Sequence, residues 1–141
     1  MAAAENKKSA RRLVEGISTG HLEVIDEVIA PNAVEHALPP GLPANREGFR
    51  MFFTGFRAAF PDLTYKIEDE LSDGDKVMHR VTGSGTMKGD FQGMKANNKK
   101  ASWQEMHIAR FDASGKLVEH WGTADQVDML TQLGFMPQHG G

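Results

Sequence analysis

Two short stretches hold most of the acid–base chemistry open to this chain. In the first, Trp103, Glu105 and His107 are spaced two apart, so on a β-strand their side chains leave the same face. In the second, Val118, His120 and Gly122 share one face of a strand and Leu117, Glu119 and Trp121 the other. If the two strands form an antiparallel hairpin, His107 and His120 can meet, although period two does not fix the register. A carboxylate and an imidazole withdrawn from water suit general acid–base catalysis, because burial raises the carboxyl pKa and lowers that of the imidazole. The same pair can also be a satisfied structural hydrogen bond, and Glu105 can face solvent or a partner subunit.

Other polar side chains could complete a site. His36 sits at the end of a short strand beside a proline-rich loop, a position suited to the mouth of a pocket. Arg80 and Thr82, read as lying on the inward face of a strand, could contact an anion or a carbonyl, or Arg80 could pair with an acid. Asp125 falls in the first turn of a final helix, where the helix dipole favours a carboxylate without any further role. Zero cysteines exclude thiolate metal sites, disulfides and a cysteine nucleophile. The six histidines form no HxH, HExxH or His-x3-His spacing, so no metal is expected. A phosphate-binding glycine loop and a Gly-x-Ser-x-Gly elbow are both missing.

The elements that must position these groups follow from periodicity. Leu13, Val14 and Ile17 make one stripe of an amphipathic helix ending at Gly20, and Leu22, Ile25 and Ile29 predict a short second helix before Pro31. Residues 32–36 can be a short strand, and the prolines from Pro31 to Pro43 make the rest a loop. Asn45 can cap a third helix whose Phe49, Phe52, Phe53, Phe56 and Phe60 lie on one stripe, expected to pack on the concave face of a sheet. Alternation then takes over. Leu63, Tyr65, Ile67 and Leu71 define one face of a strand, Ser72 to Asp75 turn, and Val77, His79 and Val81 alternate along the next, with Gly83 and Gly85 suggesting a bulge. The polar segment 88–100 connects strands, the two stretches named first form a second hairpin, and Thr123 with Gln126 has the form of a capping box opening a last helix. The tail from Phe135 to Gly141 is expected to fray. Three helices followed by an antiparallel sheet predict an α+β fold.

Length and composition agree. The chain has 141 residues, 40% hydrophobic and 25% charged, with a formal net charge of −3, which fits one globular domain over 1–141. Nothing draws it to nucleic acid or to a membrane, and without a signal peptide or transmembrane run the expected address is cytoplasmic. Apolar residues on both faces of one strand, Met106 and Ile108 against Ala109 and Phe111, predict a homodimer through the outer face of the sheet.

The order of elements, together with Glu35-His36-Ala37-Leu38-Pro39-Pro40-Gly41, Phe60-Pro61-Asp62-Leu63, Gly74-Asp75-Lys76-Val77, Arg80-Val81-Thr82, Gly85-Thr86, Glu119-His120-Trp121-Gly122-Thr123-Ala124-Asp125 and Gln132-Leu133-Gly134, resembles the SnoaL-like polyketide cyclases over residues 7–134. The resemblance implies a nuclear-transport-factor-2-like cone, a curved antiparallel sheet wrapped around three N-terminal helices with a deep cavity. It further implies an intramolecular aldol closure without metal or organic cofactor: an aspartate on the last strand removes a proton from an activated carbon, assisted by a histidine that His107 matches. The aspartate belongs two residues after His120, where this chain has Gly122. Two classes of function follow. One is a cofactor-free acid–base enzyme of cyclase, isomerase or hydrolase type, acting on a small, largely apolar carbonyl compound, with His107, Asp125 or Glu105 as catalytic groups and His36, Arg80, Trp103 and His120 binding substrate. The other is a noncatalytic binding or dimerisation module on the same cone.

Overall fold

The computed structural model describes residues 2–137, so most of the tail expected to fray, residues 138–141, lies outside the described residues. Nine elements follow one another: α1 (Ala2–Thr19), α2 (Val24–Val28), β1 (Ile29–Glu35), α3 (Arg46–Ala59), β2 (Thr64–Asp73), β3 (Lys76–Thr86), β4 (Lys100–Phe111), β5 (Leu117–Ala124) and α4 (Gln126–Gln132). The strands form one sheet in the order β1-β5-β4-β3-β2. It is antiparallel from β2 to β5, while β1 joins β5 in parallel, so the sheet is mixed where the sequence suggested antiparallel pairing alone. Among the described residues no helix is long and apolar enough to cross a membrane.

Local chemistry accounts for the third helix as expected. The Asn45 side chain accepts from the Gly48 N–H at 3.1 Å, and Phe49, Phe53 and Phe56 are buried along one face, with Phe52 half-buried beside them. Phe60, just past the last turn, is wholly buried, and the Phe49–Phe53 and Phe56–Phe60 centroids lie 4.8 and 5.0 Å apart. Each ring removed from water contributes about 1.5–3 kcal/mol, so this row anchors the helix to the core. The inward face of β4, built from Ala101, Trp103, Glu105, Ala109 and Phe111, is buried in the alternation that the sequence predicts.

Four expectations are corrected. The second helix is only five residues long, because Ile29 is already extended (φ −95°, ψ 131°) and opens β1; Pro31 is tolerated there because β1 is an edge strand. Leu71 is 60% exposed, since a register shift between Ile67 and Asp69 reverses the alternation of β2 midway. That shift is in β2, whereas β3 pairs with β4 without interruption through Gly83 and Gly85. The glycine at 83 serves packing: a Cβ there would sit 2.8 Å from Trp103 Cε2, so its absence lets the indole lie flat on the strand. Finally, Thr123 remains in β5, and Asp125 caps α4 by accepting from the Asp128 N–H at 3.0 Å.

Candidate active site

Between the helices and the concave face of the sheet lies a cavity of about 660 Å³. One wall is apolar, with Phe49, Phe52, Phe53 and Phe56 from α3. Phe91 and Met94 of the 88–99 connection close over it, Phe91 packing 5.2 Å from Phe56. A polar strip from β1, β5, β4 and β3 faces them.

The strip is a chain of hydrogen bonds. Glu35 Oε1 lies 2.7 Å from His120 Nδ1, His120 Nε2 lies 3.0 Å from His107 Nδ1, His107 Nε2 lies 2.7 Å from Glu105 Oε1, and Trp103 Nε1 donates to Glu105 Oε2 at 2.7 Å. Sheet register produces it. Glu35 and His120 are parallel partners on β1 and β5, His120 is opposite Ala109 on β4, and His107 is opposite Gly122. The two imidazoles therefore belong to neighbouring rows and stack with centroids 5.0 Å apart at 21°. Gly122 permits this contact: a Cβ on residue 122 would come within 2.5 Å of His107 Nδ1. The glycine that removes the expected aspartate is thus the same feature that brings the two histidines together.

Burial would raise the Glu105 pKa, but the His107 imidazole, the Trp103 indole N–H and the Tyr65 phenol outweigh it and hold it below the ordinary carboxylate value. Burial pushes the Tyr65 phenol well above its ordinary value, with the Glu105 charge adding to the rise. The His120 imidazole is pushed down by burial, partly countered by Glu35. His79, also on the cavity wall and opposite His107 in the register, is pushed down by burial against the pull of Glu70, whose Oε2 lies 2.8 Å from its Nε2. Among the described residues no three His, Asp or Glu side chains converge as a metal-binding group. The acid–base groups form a line, a geometry suited to passing protons.

Of the residues singled out from the sequence, Trp103, Glu105, His107 and His120 line the cavity and are joined in this chain. Asp125 also lines it, but is exposed, and its Oδ1 caps α4. His36 and Arg80 do not line the cavity, and the expectation for both is corrected. With Glu35 turned inward, alternation turns His36 outward, where it stacks 5.2 Å from Trp121 and its Nε2 lies 2.8 Å from Glu119 Oε2. Likewise, inward Val77, His79 and Val81 leave Arg80 on the outer face, donating to Asp69 at 2.6 Å and to Gln104 at 2.9 Å, with Thr82 beside it accepting from Gln104 at 3.2 Å. Leu117 is buried, because a register shift near Phe111 turns the start of β5 inward. Sequence reasoning missed Glu35, His79 and Tyr65 as site residues; for His79 the signal was present in its alternation with Val77 and Val81.

A model of the SnoaL-like polyketide cyclase family matches residues 7–133. Among solved structures, IdmH from Streptomyces antibioticus, proposed to be a polyketide cyclase, is 34% identical, with 92% of this chain and 98% of that chain covered and a TM-score of 0.81. AclR from Streptomyces galilaeus, proposed to be a hydroxylase, is 27% identical over 96% of this chain and 99% of that chain, TM-score 0.85. A protein from Bacillus cereus ATCC 10987, proposed to be a polyketide cyclase, is 31% identical over 94% and 82%, TM-score 0.80. No curated protein matches.

Proposed function

The chain belongs to the SnoaL-like polyketide cyclase family, and on that premise we propose that it is a cofactor-free acid–base enzyme of cyclase, isomerase or hydrolase type acting on a small, largely apolar carbonyl compound. The observation that carries this reading is the unbroken line Glu35, His120, His107, Glu105 on the polar side of an otherwise apolar cavity. Ring closure and isomerisation of carbonyl compounds both begin with removal of a proton next to the carbonyl, which requires a base shielded from water and positive charge near the developing enolate. His107, paired with Glu105, stands at the middle of that acid–base line, and the Phe49, Phe52, Phe53 and Phe56 rings supply an apolar bed for the substrate. An open cavity lined by groups with shifted pKa values favours an enzyme over a binding module, whose interior would be filled and apolar.

The α-hydrogen exchange of 2-tetralone in D2O, followed by proton NMR, tests the reading with a small aromatic ketone. The protein should accelerate exchange, and His107→Ala should lower the rate about tenfold to a thousandfold while affecting tetralone affinity much less. Bound tetralone without accelerated exchange would overturn it in favour of the binding module.

A homodimer through the outer face of the sheet is part of the same proposal. Leu71, Met78, Ile108 and Trp121 are successive cross-strand partners on β2, β3, β4 and β5, forming an apolar row across that face, with Leu71 60% and Ile108 36% exposed. A light-scattering mass near that of one 15.5 kDa chain at micromolar concentration would overturn it.

A further inference from the structure

We infer that Glu35 is the group that exchanges a proton with the substrate, through its Oε2 atom, and so fills the function of the base that Gly122 leaves vacant. The inference rests on the acid–base reading above and identifies the atom through which that site works.

Both ring nitrogens of His120 and both of His107 are engaged within the chain. Both oxygens of Glu105 are also taken, one by His107 and one by the Trp103 indole. Glu35 differs. Its Oε1 takes two hydrogen bonds, from the Ala37 N–H at 3.0 Å and from His120 Nδ1 at 2.7 Å, whereas Oε2 takes none among the described residues. No buried side-chain nitrogen or oxygen among those residues lacks a partner, so Oε2 is open, on a side chain that lines the cavity. It is the one unfilled acceptor of the line.

The protons along the line allow that acceptor two states. Three gaps, Glu35 to His120, His120 to His107 and His107 to Glu105, each need one proton, whereas two neutral imidazoles carry two. One arrangement has Glu35 ionised, His120 neutral with its proton on Nδ1, and His107 doubly protonated. In the other, Glu35 holds the third proton and both imidazoles are neutral. The two have the same net charge and interconvert when His120 passes its Nδ1 proton to Glu35 and accepts the His107 Nδ1 proton on Nε2. Glu35 can thus serve as base or acid without drawing on solvent.

Proton abstraction starts from the first arrangement. The substrate C–H bond breaks, its proton forms an O–H bond to Glu35 Oε2, and the electron pair remains on the substrate as an enolate beside the positive His107 ring. The proton then returns from Oε2 to the substrate at the carbon or oxygen where the product requires it. His107 acts on the proton through His120 and on the enolate through its charge.

Two measurements test this. In the wild-type protein, 15N-detected imidazole NMR at pH 7 should show three protonated nitrogens across His107 and His120, with His120 as the Nδ1–H tautomer; two would leave no positive imidazole beside the enolate, which overturns the arrangement from which Glu35 is argued to act. In the 2-tetralone exchange assay, Glu35→Gln, which keeps the side-chain shape, should lower the rate at least about tenfold with tetralone affinity retained. Full exchange by Glu35→Gln beside a loss in His107→Ala overturns the Glu35 assignment and leaves the acid–base reading standing. Tetralone bound by the wild type without accelerated exchange overturns both.

Discussion

Adding one methyl group at residue 122 is the sharpest perturbation this site offers. In Gly122→Ala the new Cβ would lie 2.5 Å from His107 Nδ1, 2.9 Å from His107 Cε1 and 3.3 Å from His120 Cε1. The two shorter separations fall well inside van der Waals contact, so something must yield. If the rings stay, strain of the overpacking kind costs about 1–3 kcal/mol. If the His107 ring swings into the cavity, as its 26% side-chain exposure allows, the 3.0 Å bond to His120 is lost and His120 Nε2 is left buried without a partner, again costing about 1–3 kcal/mol. At roughly 2–4 °C per kcal/mol for a domain of this size, either route lowers the melting temperature by about 2–12 °C. Thermal and urea denaturation read the stability, and imidazole NMR reads the His107–His120 bond. An unchanged melting temperature together with unchanged imidazole resonances would refute the steric argument. Gly122→Asp should displace His107 in the same way, because a side chain at 122 and the stacked imidazoles compete for one volume.

Two further outcomes are expected. Asp125→Ala should cost about 1 kcal/mol through loss of the α4 cap while leaving 2-tetralone exchange unchanged, as read by urea denaturation and by the exchange assay; lost exchange with full affinity would return Asp125 to the catalytic groups. Asp62 should contribute to acid lability. The Thr86 backbone N–H and hydroxyl, each 2.7 Å from its carboxylate oxygens, hold its pKa below 3.8. Because the folded-state value lies below the unfolded one, this stabilisation is present above pH 3.8 and is lost as pH falls through the folded value. Between pH 5 and acid, then, the urea midpoint of Asp62→Asn should fall less steeply than that of the wild type; identical slopes would refute the linkage.

How far the sequence reached can be seen in particular residues. The Asn45 cap and phenylalanine stripe were legible because helix period and capping are local, and the inward set Trp103, Glu105, His107 was legible because β4 runs without a shift. Arg80 was misplaced because period two separates two faces without saying which is inner; the apolar set Val77, Val81 with His79 decides it only once the core is known. Leu71 was hidden by the register shift at 67–69. Glu35 was invisible for a different reason: it sits in a short segment beside prolines, where no alternation is long enough to set its direction, and its partner His120 is 85 residues away. The sequence displayed the vacancy at Gly122, but its steric meaning depends on the pairing with His107.

The parallel pairing of β1 with β5 ties the chemistry to the order in which the chain is made. β1 is synthesised early and waits at the edge for a strand that emerges last, so the contact between Glu35 and His120 closes one of the longest loops in the molecule. Such non-local pairings are slow to form because the loop entropy must be overcome before the contact rewards it. Until β5 docks, His107, His120 and the Glu35 carboxylate remain on separate, hydrated segments. A chain whose β5 has not docked therefore cannot join its acid–base residues into one line.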